Sequence, residues 1–178
     1  MKLFFSKPNN QNRGFTLLES LIAITIFTVS ILALLSVLSR GIASTTFSKN
    51  KIIASYLAEE GIEYVRNSRD TAMISGGTDK SAIWGAFRTS ALSVCGTACY
   101  LNDAHVLTAC SGSCPYLKYD SSTGVYNYTT GTNTSYARSL VITSPSVNEL
   151  KITSGVSFLH GSATHSLNFV DNLFNWIE

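Results

Sequence analysis

Residues 20–39 contain no charged side chain, and a run of that length in Leu, Ile, Ala and Val leaves a chain few ways to fold. As a helix rising 1.5 Å per residue, about 20 apolar residues cross the ~30 Å hydrocarbon core of a bilayer. In water the same run would have to be buried on every side. One carboxylate, Glu19, stands at its head. A charge costs ~2.5–3.5 kcal/mol at the bilayer centre on insertion scales and less toward a helix end, so Glu19 calls for a partner. Ahead of it a short polar leader with Lys2, Lys7 and Arg13 stops at Gly14, and Phe15 opens the apolar segment. Ordinary secretory signals place their small-residue cleavage site after the apolar run. Here the small residue comes before it.

The junction Arg13-Gly14-Phe15-Thr16-Leu17-Leu18-Glu19 resembles the class III leader of type IV prepilins and pseudopilins. The resemblance implies that prepilin peptidase cuts after Gly14 and that the new first residue, Phe15, is N-methylated. The freed amine would lie one helical turn from Glu19, open to pairing with that residue at i, i+4 or with the Glu19 of a neighbouring subunit. In the family the glutamate has the second role and guides a subunit into register. A plain single-pass anchor, a buried core helix and a first-turn carboxylate of local role are the alternatives. Cations flank the run on both sides, with Arg40, Lys49 and Lys51 after it, so the positive-inside rule does not set topology. The resemblance implies an N-in, single-pass protein of the inner or cytoplasmic membrane, its head outside the cytoplasm, later part of a pilus or pseudopilus. The partners it implies are prepilin peptidase, other pilin or pseudopilin subunits, a membrane assembly platform and the lipid bilayer. Many major pilins carry a proline in this half of the helix. Here Ser30, Ser36 and Ser39 occur instead, which predicts a straighter helix with residues 44–47, after Gly41, as its soft point.

Loss of residues 1–14 from the 178-residue chain leaves 164, of which about 55 fall to the first helix and about 110 to one small domain. The formal net charge of +2 includes the three leader cations, so the remainder, with ten basic and eleven acidic residues, carries −1. Nucleic-acid binding gains no support from that balance.

Ile52, Ile53, Tyr56, Leu57, Tyr64 and Val65 recur near helical spacing among Lys49, Lys51, Glu59, Glu63, Arg66 and Arg69, so the helix is predicted to continue past the bilayer. Glu63 and Arg66, at i, i+3, add local support. Ser75-Gly76-Gly77 is a stop signal, and residues 67–70 are an earlier candidate. Residues 81–92 place Ile83, Trp84, Phe87 and Leu92 on one face of a short helix. Residues 125–128, 136–143, 150–159 and 166–170 alternate apolar with polar side chains, separated by turn signals at 121–124, 131–133, 144–146 and 161–162. An antiparallel sheet with one apolar face needs cover, and the amphipathic half of the long helix offers it. The predicted fold is α+β: a leader at 1–14, the membrane and assembly half of the helix at 15–40, its amphipathic half at 41–70, and a globular head at 71–178. That is also the pilin architecture.

All four cysteines fall in two pairs of equal spacing, Cys95 with Cys99 and Cys110 with Cys114. Such pairs can ligate zinc as a tetrathiolate, or form disulfides in an oxidising compartment. An exported head favours disulfides, in one of three connectivities, with the local pairs 95–99 and 110–114 preferred to crossed ones. Either set would staple residues 92–115, a loop-rich stretch with little apolar content.

Signals for catalysis are sparse. His105, His160 and His165 are scattered, Asp103 stands two residues from His105, and no G-x-S-x-G, H-E-x-x-H or P-loop sequence occurs. Residues 76–81 lack the Gly-Lys pairing and preceding strand of a phosphate loop. His160 and His165 read as hairpin flanks, and Tyr116, Tyr119, Tyr126, Tyr128 and Tyr136 as strand aromatics packing across a sheet. Asn127 and Asn133 head glycan sequons, silent without a host machinery. No cofactor, metal or enzymatic reaction is expected. The combined reading is a minor type IV pilin or pseudopilin, minor because the helix proline of major subunits is absent. Softer similarity runs through residues 57–63, the cysteine pairs and the closing Leu173-Phe174-Asn175-Trp176. The alternative is a membrane-tethered extracytoplasmic domain, ligand-binding or enzymatic, that uses a pilin-type leader; a head pocket lined by polar groups would favour it.

Overall fold

Thr16 opens the first helix, α1 (Leu17–Ser75), by accepting the backbone N–H of Glu19 on its hydroxyl at 3.3 Å. This satisfies one of the four N–H groups that a helix start leaves without an internal partner. The computed structural model describes residues 14–175, so leader residues 1–13 and Trp176 lie outside it. The chain divides into two units between Thr45 and Thr46.

In the first unit, residues 17–45 form helix whose side chains are almost all exposed. Several of its hydroxyls bond within the helix: Thr25 donates to the Ile22 carbonyl at 2.8 Å, Thr28 to Thr25 at 2.9 Å and Ser30 to Ile26 at 2.7 Å. Such bonds let Ser and Thr sit in an apolar segment without an orphaned donor. The helix runs unbroken through residues 41–47, so the predicted soft point is helical.

The second unit holds the rest of α1, a shorter helix α2 (Lys80–Cys95) and a seven-stranded antiparallel sheet. Its strands are β1 (Cys99–Leu101), β2 (Leu107–Ala109), β3 (Tyr116–Asp120), β4 (Val125–Asn127), β5 (Thr132–Ser146), β6 (Glu149–His160) and β7 (Ala163–Phe174). β6 lies along one edge of β5 and β7 along β6. The other edge of β5 is shared, with β3 pairing near Asn133 to Ala137 and β1 at Leu140, while β4 and β2 extend these outward. Leu140, Ile142, Leu150, Ile152 and Val156 point to one face and are fully buried there, with Ala54, Leu57, Ala58, Ile62 and Val65 of α1 in the same core.

Three of the seven buried residues of α1 are small. Ile52 and Tyr56, expected on the apolar face, are exposed, and Ala54, Ala58 and Gly61 take the buried positions. At Gly61 an added Cβ would lie 2.8 Å from Ser154 Oγ and 2.9 Å from Leu140 Cδ2, so the bare helix backbone there packs directly on side chains of the sheet. α1 ends at Ser75, not at 67–70, and Gly77 turns the chain with φ 90°. Asp79 then caps α2, accepting from the Ala82 N–H at 3.0 Å, and Trp84 Nε1 donates to the Val147 carbonyl at 2.8 Å.

Two local expectations are corrected. β5 continues through the predicted turns at 131–133 and 144–146, because Thr132 and Asn133 pair with β3 and the ladder to β6 resumes at Ser146 after an irregularity that absorbs Pro145. Residues 92–115 are not poor in core-forming groups either: Cys95 and Cys99 are 0% exposed and Leu101 is 4% exposed, although less than half of the stretch is regular structure and it is loop-rich as expected.

Candidate functional site

Gly14, Phe15 and Thr16 precede α1 and are exposed. Among the described residues, chain neighbours aside, no atom lies within 4 Å of where a Gly14 Cβ would stand, so they set no limit on side-chain size there. Any demand for a small residue must come from an enzyme that reads the bond. Thr16 and Glu19 have the T-x-x-E spacing of a capping box, a start signal carried by the sequence but overlooked in its reading. The Glu19 carboxylate is exposed in the first turn, where the helix dipole favours negative charge. The ion pairs of the described residues centre on Arg66, Arg69 and Arg138 and leave Glu19 out.

Beyond Glu19 the helix is long and apolar enough to cross a membrane by length and composition. A helix apolar all round needs lipid or other helices about it. The family model described as the prokaryotic N-terminal methylation motif matches residues 9–35. The chain carries a type IV prepilin-like leader signature. The signature takes in Gly14, Phe15 and Glu19 and ends inside the apolar half of α1. It supports a type IV pilin-like substrate of prepilin peptidase, and with the apolar helix it fits a membrane-anchored pilin. No curated protein and no solved structure matches the chain.

Within the second unit, polar side chains are spent on holding the helix to the sheet. Arg138, 3% exposed, donates from Nη1 to Glu60 Oε2 at 2.6 Å and to the Leu57 carbonyl at 3.2 Å. Tyr128 lies close by; burial pushes its phenol up, and Arg138 partly opposes this. Arg66 joins Glu63 on its own helix and Asp171 of β7 at 2.7 Å; the Asp171 bond chiefly raises its pKa. The similarity in residues 57–63 thus maps to Leu57, Ala58, Gly61 and Ile62 in the core and Glu60 on Arg138. Arg138 went unremarked in the sequence because an isolated Arg in a strand carries no local signal.

The structure pairs Cys95 with Cys99 and Cys110 with Cys114, their Cα atoms 4.8 and 4.9 Å apart. The first bridge joins the end of α2 to β1 inside the core; the second closes a surface loop whose Cys110 N–H donates to the Ala98 carbonyl at 2.9 Å. The remaining candidates have structural work. Lys80 Nζ reaches the Gly77 carbonyl at 2.7 Å and helps close the end of α1. Asp103 accepts the Tyr128 N–H at 2.8 Å, and His105 sits in the same turn with φ 59°. Asn127 Oδ1 accepts from the N–H groups of Thr129 and Thr130. The rings of His160 and His165 are 6.3 Å apart and both pack on Phe47. The tyrosines do pack with one another, Tyr119 with Tyr126 at 5.1 Å and Tyr126 with Tyr136 at 5.7 Å.

Proposed function

We propose that this protein is a minor type IV pilin or pseudopilin. It is a structural subunit that prepilin peptidase cuts after Gly14, that is methylated on Phe15, and that enters a pilus or pseudopilus through residues 15–40 with its head outside the cytoplasm. The observation that carries this reading is the methylation motif over residues 9–35. Glu19 adds to it: lipid accommodates the apolar surface of the helix but not a lone carboxylate, whereas the amine of an adjacent processed subunit satisfies both charges. Cysteine pairs at disulfide distance support an oxidising compartment for the head. The second reading, a tethered ligand-binding domain, has one observation on its side, a half-open groove in the head lined in part by Ser139, Ser157 and Asn168.

Intact-mass analysis of the native protein tests the proposal. The expected species lacks residues 1–14 and carries one methyl group on Phe15. A species that keeps the leader, or is cut beyond residue 39, overturns it.

A further inference from the structure

β7 is an outer strand of the sheet, and among the described residues it pairs with β6 alone. The other two outer strands, β2 and β4, are three residues each. β7 has twelve, in unbroken register with β6, and contains no Lys, Arg or Pro. An outer strand leaves a row of backbone N–H and C=O groups open to another chain, and short length, cations, prolines and bulges are the usual guards against it. β7 lacks all four. Its one carboxylate, Asp171, is joined to Arg66 of α1.

The turn before β7 decides which backbone groups are open. Gly161 and Ser162 form a two-residue loop closing on His160 and Ala163, and the closing residues of such a hairpin exchange both backbone bonds. Bonded and non-bonded pairs then alternate. Asn175, which donates its N–H to the Asn148 carbonyl at 2.8 Å, keeps to that alternation at the far end. Odd-numbered residues therefore bond to β6, while Thr164, Ser166, Asn168, Val170 and Asn172 aim their N–H and C=O groups at the open edge.

The sequence of β7 fits a second copy of itself. Laid antiparallel with Asn168 opposite Asn168, two β7 strands set Ser166 against Val170 and Thr164 against Asn172, all residues whose backbone groups face the partner. On the side of α1, Leu167 meets Phe169, both only partly buried in one copy, Ala163 meets Leu173, and His165 meets Asp171. Apolar stands against apolar and acid against base, the pairings that stabilise neighbouring strands. A register two residues away on either side puts Asp171 against Leu167 or Ala163, and a slip of one residue turns every side chain to the wrong face.

We infer that the open edge of β7 is a homotypic docking surface, on which two heads pair antiparallel into one continuous sheet. α1 runs beside β7 in the same direction, with Phe47 against His165 and Arg66 against Asp171, so antiparallel strands set residues 47–66 of the two copies in opposite directions. Neighbours along one filament share a direction and cannot meet this way. Under the pilin function proposed above, on which this step rests, the pair joins subunits of two filaments.

The test uses the full chain in detergent, with cysteines placed on the outer face of β7, mild oxidation and non-reducing electrophoresis. The four native cysteines are paired and do not compete. Opposed Cα atoms of a bonded pair are ~5.5 Å apart, within the span of a disulfide. Asn168→Cys, which stands opposite itself, should form a covalent dimer. Thr164→Cys alone should not, whereas Thr164→Cys together with Asn172→Cys should. Ser166→Pro in the Asn168→Cys chain removes an outward N–H that β6 does not use and should cut the dimer yield by about tenfold or more, with thermal melting to check that the head is folded. The inference is overturned if Asn168→Cys gives no more dimer than Thr164→Cys, if Ser166→Pro leaves the yield of folded protein unchanged, or if dimer forms only when a different protein is added. A chain that has lost residues 1–14 and gives no dimer defeats the pairing alone; one that keeps them and still gives dimer defeats the pilin reading alone.

Discussion

A single carboxylate decides between an anchor and an assembling subunit. Glu19→Gln keeps the size and hydrogen bonding of the side chain and removes its charge. An anchor should insert as well or better with the amide, which is cheaper to bury. In an assembling subunit the partner amine loses its counter-ion in a low-dielectric setting, a loss of ~3–5 kcal/mol when one member of a buried pair is removed. We expect cleavage and membrane retention to continue while incorporation into sheared surface fractions falls below detection. Equal incorporation of both proteins would reduce Glu19 to a helix-end charge. Residues of this kind are legible in a sequence because their partners are near: Gly14, Phe15 and Glu19 lie within six consecutive positions. Arg138 is the opposite case, joined to a Glu60 that is 78 residues away, and no short window holds both.

At the scale of elements the contact between α1 and the sheet turns on Gly61. Gly61→Leu places a side chain where Ser154 Oγ and Leu140 Cδ2 already stand, and overpacking of that sort costs typically 1–3 kcal/mol, more than the ~1 kcal/mol a helix gains when glycine is replaced. The variant should melt lower by several degrees, whereas Gly41→Ala, with no atom within 4 Å, should leave the melting of the head unchanged. The two cysteine pairs differ in the same way. Each bridge spans only four residues of sequence, so the chain-entropy gain is small, about 2 kcal/mol by loop length. Cys95→Ala with Cys99→Ala should cost more than the equivalent change at Cys110 and Cys114, because the first pair also fills the core. Chemical denaturation of the two double variants measures that difference, and equal losses would contradict it. The helices and the alternating strands β5 to β7 were readable from periodicity. β1, β2 and β3 were not, since three to five residues are too few to show a period, and the turn residues inside β5 are overruled by pairing on both of its edges.

The whole molecule responds to alkali through its tyrosines. Burial raises Tyr126 and Tyr128, and pushes Tyr136 up to about 12. An unfolded phenol ionises near 10, so the folded state keeps these protons longer than the unfolded one. Their contribution is complete below about pH 10 and is lost as pH rises through the folded values. Thermal melting should therefore fall between about pH 10 and 12, with phenolate absorbance appearing together with the loss of β-sheet signal. A gradual phenolate titration at constant melting temperature would show these rings to be freely solvated.

The order in which the chain is made adds a clock to the contact between helix and sheet. The stripe from Ala54 to Val65 belongs to the first half of the sequence, yet Val156, Phe158 and Leu173, with which it shares the core, stand near its end. The closing of such distant contacts is slow and waits on the final strands. Until β5 and β6 have arrived, Leu57, Ile62 and Val65 lack most of their cover, since Leu140, Ile142, Ile152, Val156 and Phe158 supply it. A chain interrupted before β6 therefore leaves this stripe in water, and limited proteolysis of truncated chains should cut within it.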